Sequence, residues 1–232
     1  MRRLFKRHDL PSTVTLETVD TINATLKRLR ARKISGLIYD SDSVEQWNAN
    51  WIRIYLQAHT RRTLSIIESG MVEISNERPM VAALCARAIF EDAAAIWDFV
   101  SRVNGLLDEG DDDATEDFVF ARVMATRLPH LLKERGAEFA ATNIVTIIDR
   151  FSKLNPTYRE FYDDLSEVVH PNSLGVVQHF AEFDEGLAIF HDGEKLGDIA
   201  LGVLIRASYI FCADEPEIEK LENRLTSLRG YA

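Results

Sequence analysis

The sequence predicts an all-α fold, a single-domain multi-helix bundle over residues 1–232 with one small β-hairpin near 176–191. Three observations lead there. Apolar residues recur at three- and four-residue spacing through most of the chain, as in Val19, Ile22, Leu26 and Leu29. The stretch 79–107 is apolar almost all round and rich in alanine (Ala82, Ala83, Ala86, Ala88, Ala93, Ala94, Ala95), which suits a central helix that neighbours approach closely. Alternating polarity is confined to 176–183 and 187–191, either side of Asp184-Glu185-Gly186, a hairpin signal.

In order, a helix is predicted over 12–33, ending before Gly36, and a second over 43–75 through Trp47, Trp51, Ile54, Tyr55, Leu64 and Ile67, with Gly70 as a weak point. The central helix follows. The acidic run 108–117 reads as a solvated loop with helix-start carboxylates, because the alternating ligands, central glycine and closing glutamate of a calcium loop are missing. Helices are expected at 115–136, kinked or divided by Pro129, and at 138–153. Beyond the hairpin, a buried helix covers 194–213. An amphipathic C-terminal helix covers 214–230, with Pro216 in its first turn, Glu217 completing a capping box with Asp214, and Ile218, Leu221, Leu225 and Leu228 along one stripe.

Composition bounds the function classes. A hydrophobic content of 46% over 232 residues is enough to bury a substantial core. The longest apolar stretch, 199–212, is interrupted by Arg206 and is too short for a bilayer, and the basic first residues lead into no apolar run, so the reading is a cytoplasmic protein without membrane partners. Cys85 and Cys212 read as reduced core thiols. A net charge of −10 disfavours general nucleic-acid binding. Residues 1–33 nevertheless hold nine basic against three acidic residues, a local +6, with a basic arm at 1–10. That asymmetry marks either a surface for an acidic partner or a helix whose charges follow its dipole. The helices at 12–33 and 214–230 are the expected surfaces for a homo-oligomer or a partner protein.

The stretch 155–175 carries the most chemistry. Asn155 and Pro156 open a helix and Pro171 closes it. On a helical projection Tyr158, Phe161, Tyr162, Leu165, Val168 and Val169 form its apolar face, while Arg159, Ser166 and His170 fall within about 40° of one another at its edge. In the central helix Arg87, Glu91 and Asp98 likewise share a stripe within about 40°. Charges on a buried helix must be paired, so Arg87 and Glu91 are expected to meet one turn apart, and Arg206 is expected to find Asp98 or Glu91. Two readings follow: a structural ion-pair network, or a polar pocket formed by Arg87, Glu91, Arg159, Tyr162, Ser166 and His170. His170, Arg159 and Ser166 are the candidate catalytic groups. No cofactor or metal is expected, because Glu167-Val168-Val169-His170 is a lone Glu-x-x-His unit and a di-metal bundle needs two. A mid-helix Ser166 also lacks the exposed elbow and oxyanion hole of a nucleophilic serine.

The pattern Arg87-x-x-x-Glu91 followed by Tyr162-x-x-Leu165-Ser166-x-x-x-His170-Pro171 resembles a family of uncharacterised all-helical bacterial proteins with a late Leu-Ser-x-x-x-His-Pro signature, over about residues 45–210. More distantly it is similar to the HEPN class of helical toxins and defence ribonucleases, which cleave RNA without metal using an Arg-x4–6-His motif at a dimer interface. Ten residues separate Arg159 from His170, whereas Arg53-x5-His59 has the spacing of that class, with Ile54 after the arginine. Three functions stand as expectations. The first is binding of a small anionic ligand or a partner protein in the polar pocket. The second, implied by the resemblance, is a metal-independent endoribonuclease with His170 as general acid or base and Arg159 or Arg87 stabilising a phosphorane. The third is a structural partner subunit.

Overall fold

A computed structural model describes Phe5, Pro11 and residues 14–39, 41, 43–193 and 196–227 of the chain. Helix of all kinds makes up 76% of it, and the sheet is a single two-stranded antiparallel hairpin, so the fold is an all-α bundle. The elements are α1 (Leu16–Ala31), α2 (Val44–Ser75), α3 (Pro79–Glu109), α4 (Asp112–Val123), α5 (Pro129–Arg135), α6 (Ile144–Phe151), α7 (Thr157–Val169), α8 (Gln178–Phe180), β1 (Ala181–Asp184), β2 (Leu187–Phe190), α9 (Gly197–Ala213) and α10 (Glu215–Ser227). No helix among the described residues is long and apolar enough to cross a membrane.

The central helix is α3. It packs against α2, α4, α6, α7 and α9, and buries Ala82, Ala83, Ala86, Phe90, Ala93, Ala94 and Phe99. Its alanines let α2 and α9 approach closely. Gly70 belongs to the same contact: a Cβ there would stand 2.7 Å from Leu204 Cδ1 and 3.2 Å from Cys85 Cβ. The glycine expected to weaken α2 therefore sits in an unbroken helix, where its missing side chain makes room for α9.

The acidic run is not one loop. It is the end of α3, a left-handed Gly110, and Asp111 capping α4 by accepting a hydrogen bond from Ala114 N at 2.9 Å. Pro129 starts α5, so the predicted helix over 115–136 is divided. Residues 140–143 are extended and Thr126 bridges to Ala140, so α6 begins later than expected, where Asn143 caps it. The hairpin is shorter than predicted. Residues 173–180 form a π-helical turn and α8, and strand pairing begins at Ala181. Glu185 and Gly186, at φ 42° and 87°, make the turn. Phe183, Leu187 and Phe190 on these strands are exposed.

The amphipathic stripes of α1 (Val19, Ile22, Leu26, Leu29) and α10 (Ile218, Leu221, Leu225) are buried in the core of this chain, whose neighbouring helices cover them. Phe5, within the predicted basic arm, is also in the core, its backbone held by Asn23. The rest of residues 1–10 and Leu228 lie outside the described residues. The basic end of α1 is paired internally: Arg28 with Glu215 at 2.9 Å, Arg30 with Glu68 at 2.6 Å, and Arg32 with Glu215 and Glu219 at 3.0 and 2.8 Å. The Arg28 hydrogen bond, with the nearby charges of Arg28 and Arg32, holds the Glu215 carboxyl below its ordinary range despite burial. Arg28 and Arg32 thus clamp the end of α1 to α10, while Arg30 ties it to α2.

The α9–α10 junction departs from the expected capping box. A capping side chain bonds the N–H of the second or third helical residue. Here the second is Pro216, which has none, and Glu217 N already donates to the Asp214 carbonyl at 3.1 Å. The Asp214 carboxyl is left buried with Oδ2 unpartnered, and desolvation pushes its pKa well above the ordinary carboxylate range.

Two outcomes are expected. Gly70→Val should destabilise the fold by about 1–3 kcal/mol in chemical denaturation, because the new methyls meet Leu204 and Cys85. For Asp214 the folded state holds the proton more tightly than the unfolded chain, so its stabilising contribution is full at acid pH and is lost as pH rises through the folded pKa. Asp214→Asn should accordingly gain stability relative to the native chain as pH is raised from about 4 to about 8. A stability difference that is flat across that range, measured by urea unfolding, contradicts the assignment.

Candidate functional site

Local sequence positions the site. Asn155 Oδ1 accepts from Thr157 N at 3.1 Å and starts α7, and His170, in extended conformation at ψ 148° before Pro171, ends it. The chain then turns back beneath the helix end, where Gly175 N donates to Asn172 Oδ1 at 2.8 Å. A Cβ on Gly175 would lie 2.0 Å from the His170 carbonyl oxygen and 2.7 Å from that of Val168, so only glycine permits this turn. His170 is thereby held at the outer edge of α7, facing α3.

Four of the predicted site residues meet there. Arg87 and Glu91, one turn apart on α3, pair through Nε and Oε1 at 3.1 Å. Tyr162 reaches across from α7: its hydroxyl accepts from Arg87 Nη2 at 3.2 Å and donates to Glu91 Oε1 at 3.3 Å. The guanidinium carbon also lies 5.4 Å from the centre of the Tyr162 ring. Arg87 Nη1 stands 3.3 Å from His170 Nε2. A guanidinium can only donate, so in this contact Nε2 accepts and the neutral imidazole carries its proton on Nδ1. Burial opposes the charge on Arg87, but the hydrogen bond to Tyr162 and the Glu91 carboxylate outweigh it and hold the guanidinium firmly protonated. Arg87 and Glu91 are partly buried, whereas His170 is exposed.

The other predicted members are elsewhere. Arg159 Nε donates to Asp163 at 2.9 Å and its Nη1 to Asp149, on the α6 side of the helix. It shares an angular stripe with His170 but lies roughly 16 Å away along the axis, which projection alone ignores. Ser166 shares that stripe too, but its hydroxyl donates to the Tyr162 carbonyl at 2.8 Å, one turn back in its own helix. Asp98, also expected beside Arg87 and Glu91, is instead clamped by Arg122 at 2.6 Å and Arg150 at 3.0 Å. Arg206 meets neither Asp98 nor Glu91: its guanidinium lies 4.3 Å from the centre of the Phe161 ring. Arg53 and His59 engage different helices. Arg53 Nη2 donates to Thr226 on α10, at 3.1 Å, while His59 Nδ1 faces Asp92 on α3, at 3.5 Å.

Sequence reasoning missed Asp92. It is buried, accepts from Thr63 Oγ1 at 2.9 Å, pairs with Arg62, and has His59 beside it. The His59 ring in turn stacks on Tyr55, with centroids 4.3 Å apart. The signal was available: a carboxylate in a helix that is apolar almost all round requires a basic partner, and Arg62 lies on the helix predicted to run antiparallel to it. Among the described residues no group of three or more His, Cys, Asp or Glu is placed to hold a metal ion. Glu167, of the Glu-x-x-His unit, accepts from Asn172 Nδ2 at 2.6 Å.

Tyr162→Phe keeps the ring against Phe90 but removes the hydroxyl that links Arg87 to Glu91. Thermal or chemical unfolding should show a loss of about 1 kcal/mol, and an unchanged stability would mean that the hydroxyl is not engaged. Comparison with known proteins adds no name to this arrangement: no family model, no curated protein and no solved structure matches the chain.

Proposed function

We propose that the chain binds a small anion, a phosphate or carboxylate group, at the edge where Arg87 meets His170. The observation that carries this reading is the 3.3 Å contact between Arg87 Nη1 and His170 Nε2 on the exposed side of the network. A guanidinium has five N–H donors. Three go to Glu91, Tyr162 and His170. Two N–H groups of Arg87 and Nδ1–H of the neutral imidazole are then available to an anion, which charge-assisted hydrogen bonds favour. Glu91 offsets the guanidinium charge and so limits affinity, while Tyr162 holds the guanidinium plane in place.

The same pair supports a second reading, a metal-independent endoribonuclease of a toxin or defence system. An exposed imidazole beside a guanidinium provides a proton-transfer group and a stabiliser for a phosphorane. Arg87 would then fill the arginine's role, since Arg159 is occupied by two aspartates.

The test is calorimetric titration of inorganic phosphate into the native chain and into His170→Ala, with a single-stranded RNA cleavage assay on both. The variant should bind phosphate about tenfold more weakly with an unchanged melting temperature. Equal affinity in the two proteins refutes an anion site at His170. Cleavage of RNA that is lost in the variant would favour the nuclease over the ligand-binding reading.

A further inference from the structure

A groove of about 700 Å³ runs between the start of α1 and α7, floored by α9. Its walls are mostly apolar, from Val14, Phe161, Ile199, Val203 and Tyr209, and both Ile199 and Tyr209 are exposed. Three charges line it: Arg206, Asp164 and Asp198. The two signs share one groove, yet among the described residues none of the three is in an ion pair. Packing keeps them apart. The Arg206 guanidinium is held over the Phe161 ring at 4.3 Å, while Val168, further along α7, packs on Leu196 and Ala200 near the start of α9. α7 therefore runs antiparallel to α9, and Asp164 falls on the side of Phe161 towards Asp198. The groove is cationic at the Arg206 end and anionic at the other. Gly202 lies on the floor between these charges. Glycine is, after proline, the poorest former of a helix interior. Gly70 makes room for a neighbouring helix, but a Cβ on Gly202 would meet nothing within 4 Å. The space above it suits close approach of a ligand to the backbone.

We infer that this groove is a binding site for a short apolar peptide with free ends, its carboxylate on Arg206 and its ammonium group at Asp164 and Asp198. A guanidinium matches a carboxylate with two parallel N–H donors, and an ammonium group brings three donors to carboxylates that can only accept. Length follows from the helix. Asp198 and Arg206 are both on α9, and the rise between them is about 12 Å. An extended chain covers that in about three or four residues. The volume lies inside the range of roughly 300–1,000 Å³ for ligand sites, and the apolar walls receive the peptide's side chains. An amphiphile of one sign fits less well, because it answers one end and meets like charge at the other. The groove shares no residue with the Arg87 and His170 site, so it stands or falls independently of the anion reading.

The test is a two-dimensional NMR titration of the full chain with the tripeptide Leu-Ala-Leu. The backbone amide signals of Gly202, Val203 and Arg206 should shift saturably. N-acetylation or C-terminal amidation of the tripeptide should each weaken binding about tenfold. Arg206→Gln should bind the acid and the amide alike, and the double variant Asp164→Asn, Asp198→Asn should bind the acetylated and free peptides alike. Gly202→Leu fills the floor where a side chain meets nothing in the fold. It should abolish the shifts with the melting temperature unchanged or raised. Four results overturn the inference: no saturable shift with the tripeptide, a doubly capped peptide binding as tightly as the free one, undiminished binding by Gly202→Leu, or the same amides shifting when the peptide-free protein is diluted, which would give the groove to a second copy of the chain.

Discussion

The constraint on which the bundle depends is that α3 is surrounded by other helices and yet carries charge. Each of those charges must be met by a neighbour, because an unpaired ion in such a place costs several kcal/mol. Asp92 is met by α2, through Arg62 and Thr63. Asp98 is met by α4 and α6, through Arg122 and Arg150. Arg87 and Glu91 are met by α7, through Tyr162 and His170. The polar contacts therefore give several neighbours distinct heights and sides on α3. A uniformly apolar α3 would bury as much surface but tolerate register slips. Isolated buried pairs add little net stability, whereas removing one partner is costly.

The α9 side of α3 is organised differently. There the contacts are between small residues: Ala82 and Ala86 on α3, Gly70 on α2, and Ala200 and Ala207 on α9 are all buried. Close approach takes the place of ionic specification. Arg206, the one charge in the interior of α9, is accommodated at the exposed side over Phe161. Its long stem covers apolar surface while the guanidinium reaches water, which needs no buried partner.

Periodicity made much of this readable. The two long helices, one of them the buried alanine-rich α3, and the amphipathic C-terminal helix follow from spacing alone, and the punctuation at Asn155, Pro129 and Pro171 placed breaks where they occur. What spacing could not supply was height along an axis and the identity of the facing helix. Arg159 and His170 project to the same angle, yet eleven residues of rise put Arg159 beside Asp149 and Asp163. Asp98 shares Arg87's stripe but sits three turns on, beside α4 and α6. Residues 176–180 read as extended because Val176, Val177 and Phe180 are β-formers. The tight return beneath α7 and the Asn172 cap decide for helix there, a tertiary effect that overrides propensity. At Asp214 the capping pattern was present in sequence, but the donor it assumes, the N–H of the third helical residue Glu217, bonds the Asp214 carbonyl instead of the side chain.

Counting donors against acceptors separates closed networks from one that has capacity left. Asp98 is closed: each carboxylate oxygen takes one arginine, and Arg122 spends a further donor on Thr142. Asp92 is nearly so, with one oxygen taken by Thr63 and Arg62 and the other facing His59. Arg87 is different. It has five donors, three acceptors and an exposed imidazole on its open side, and the proposed anion binding rests on that remaining capacity. In the two aspartate clusters the carboxylate oxygens are taken and fix the fold, although Arg62 and Arg150 keep further N–H donors at the surface. The unspent valence in this part of the molecule lies where α7 ends against α3, and the Gly175 turn that holds His170 in place is as much a part of that site as the side chains themselves.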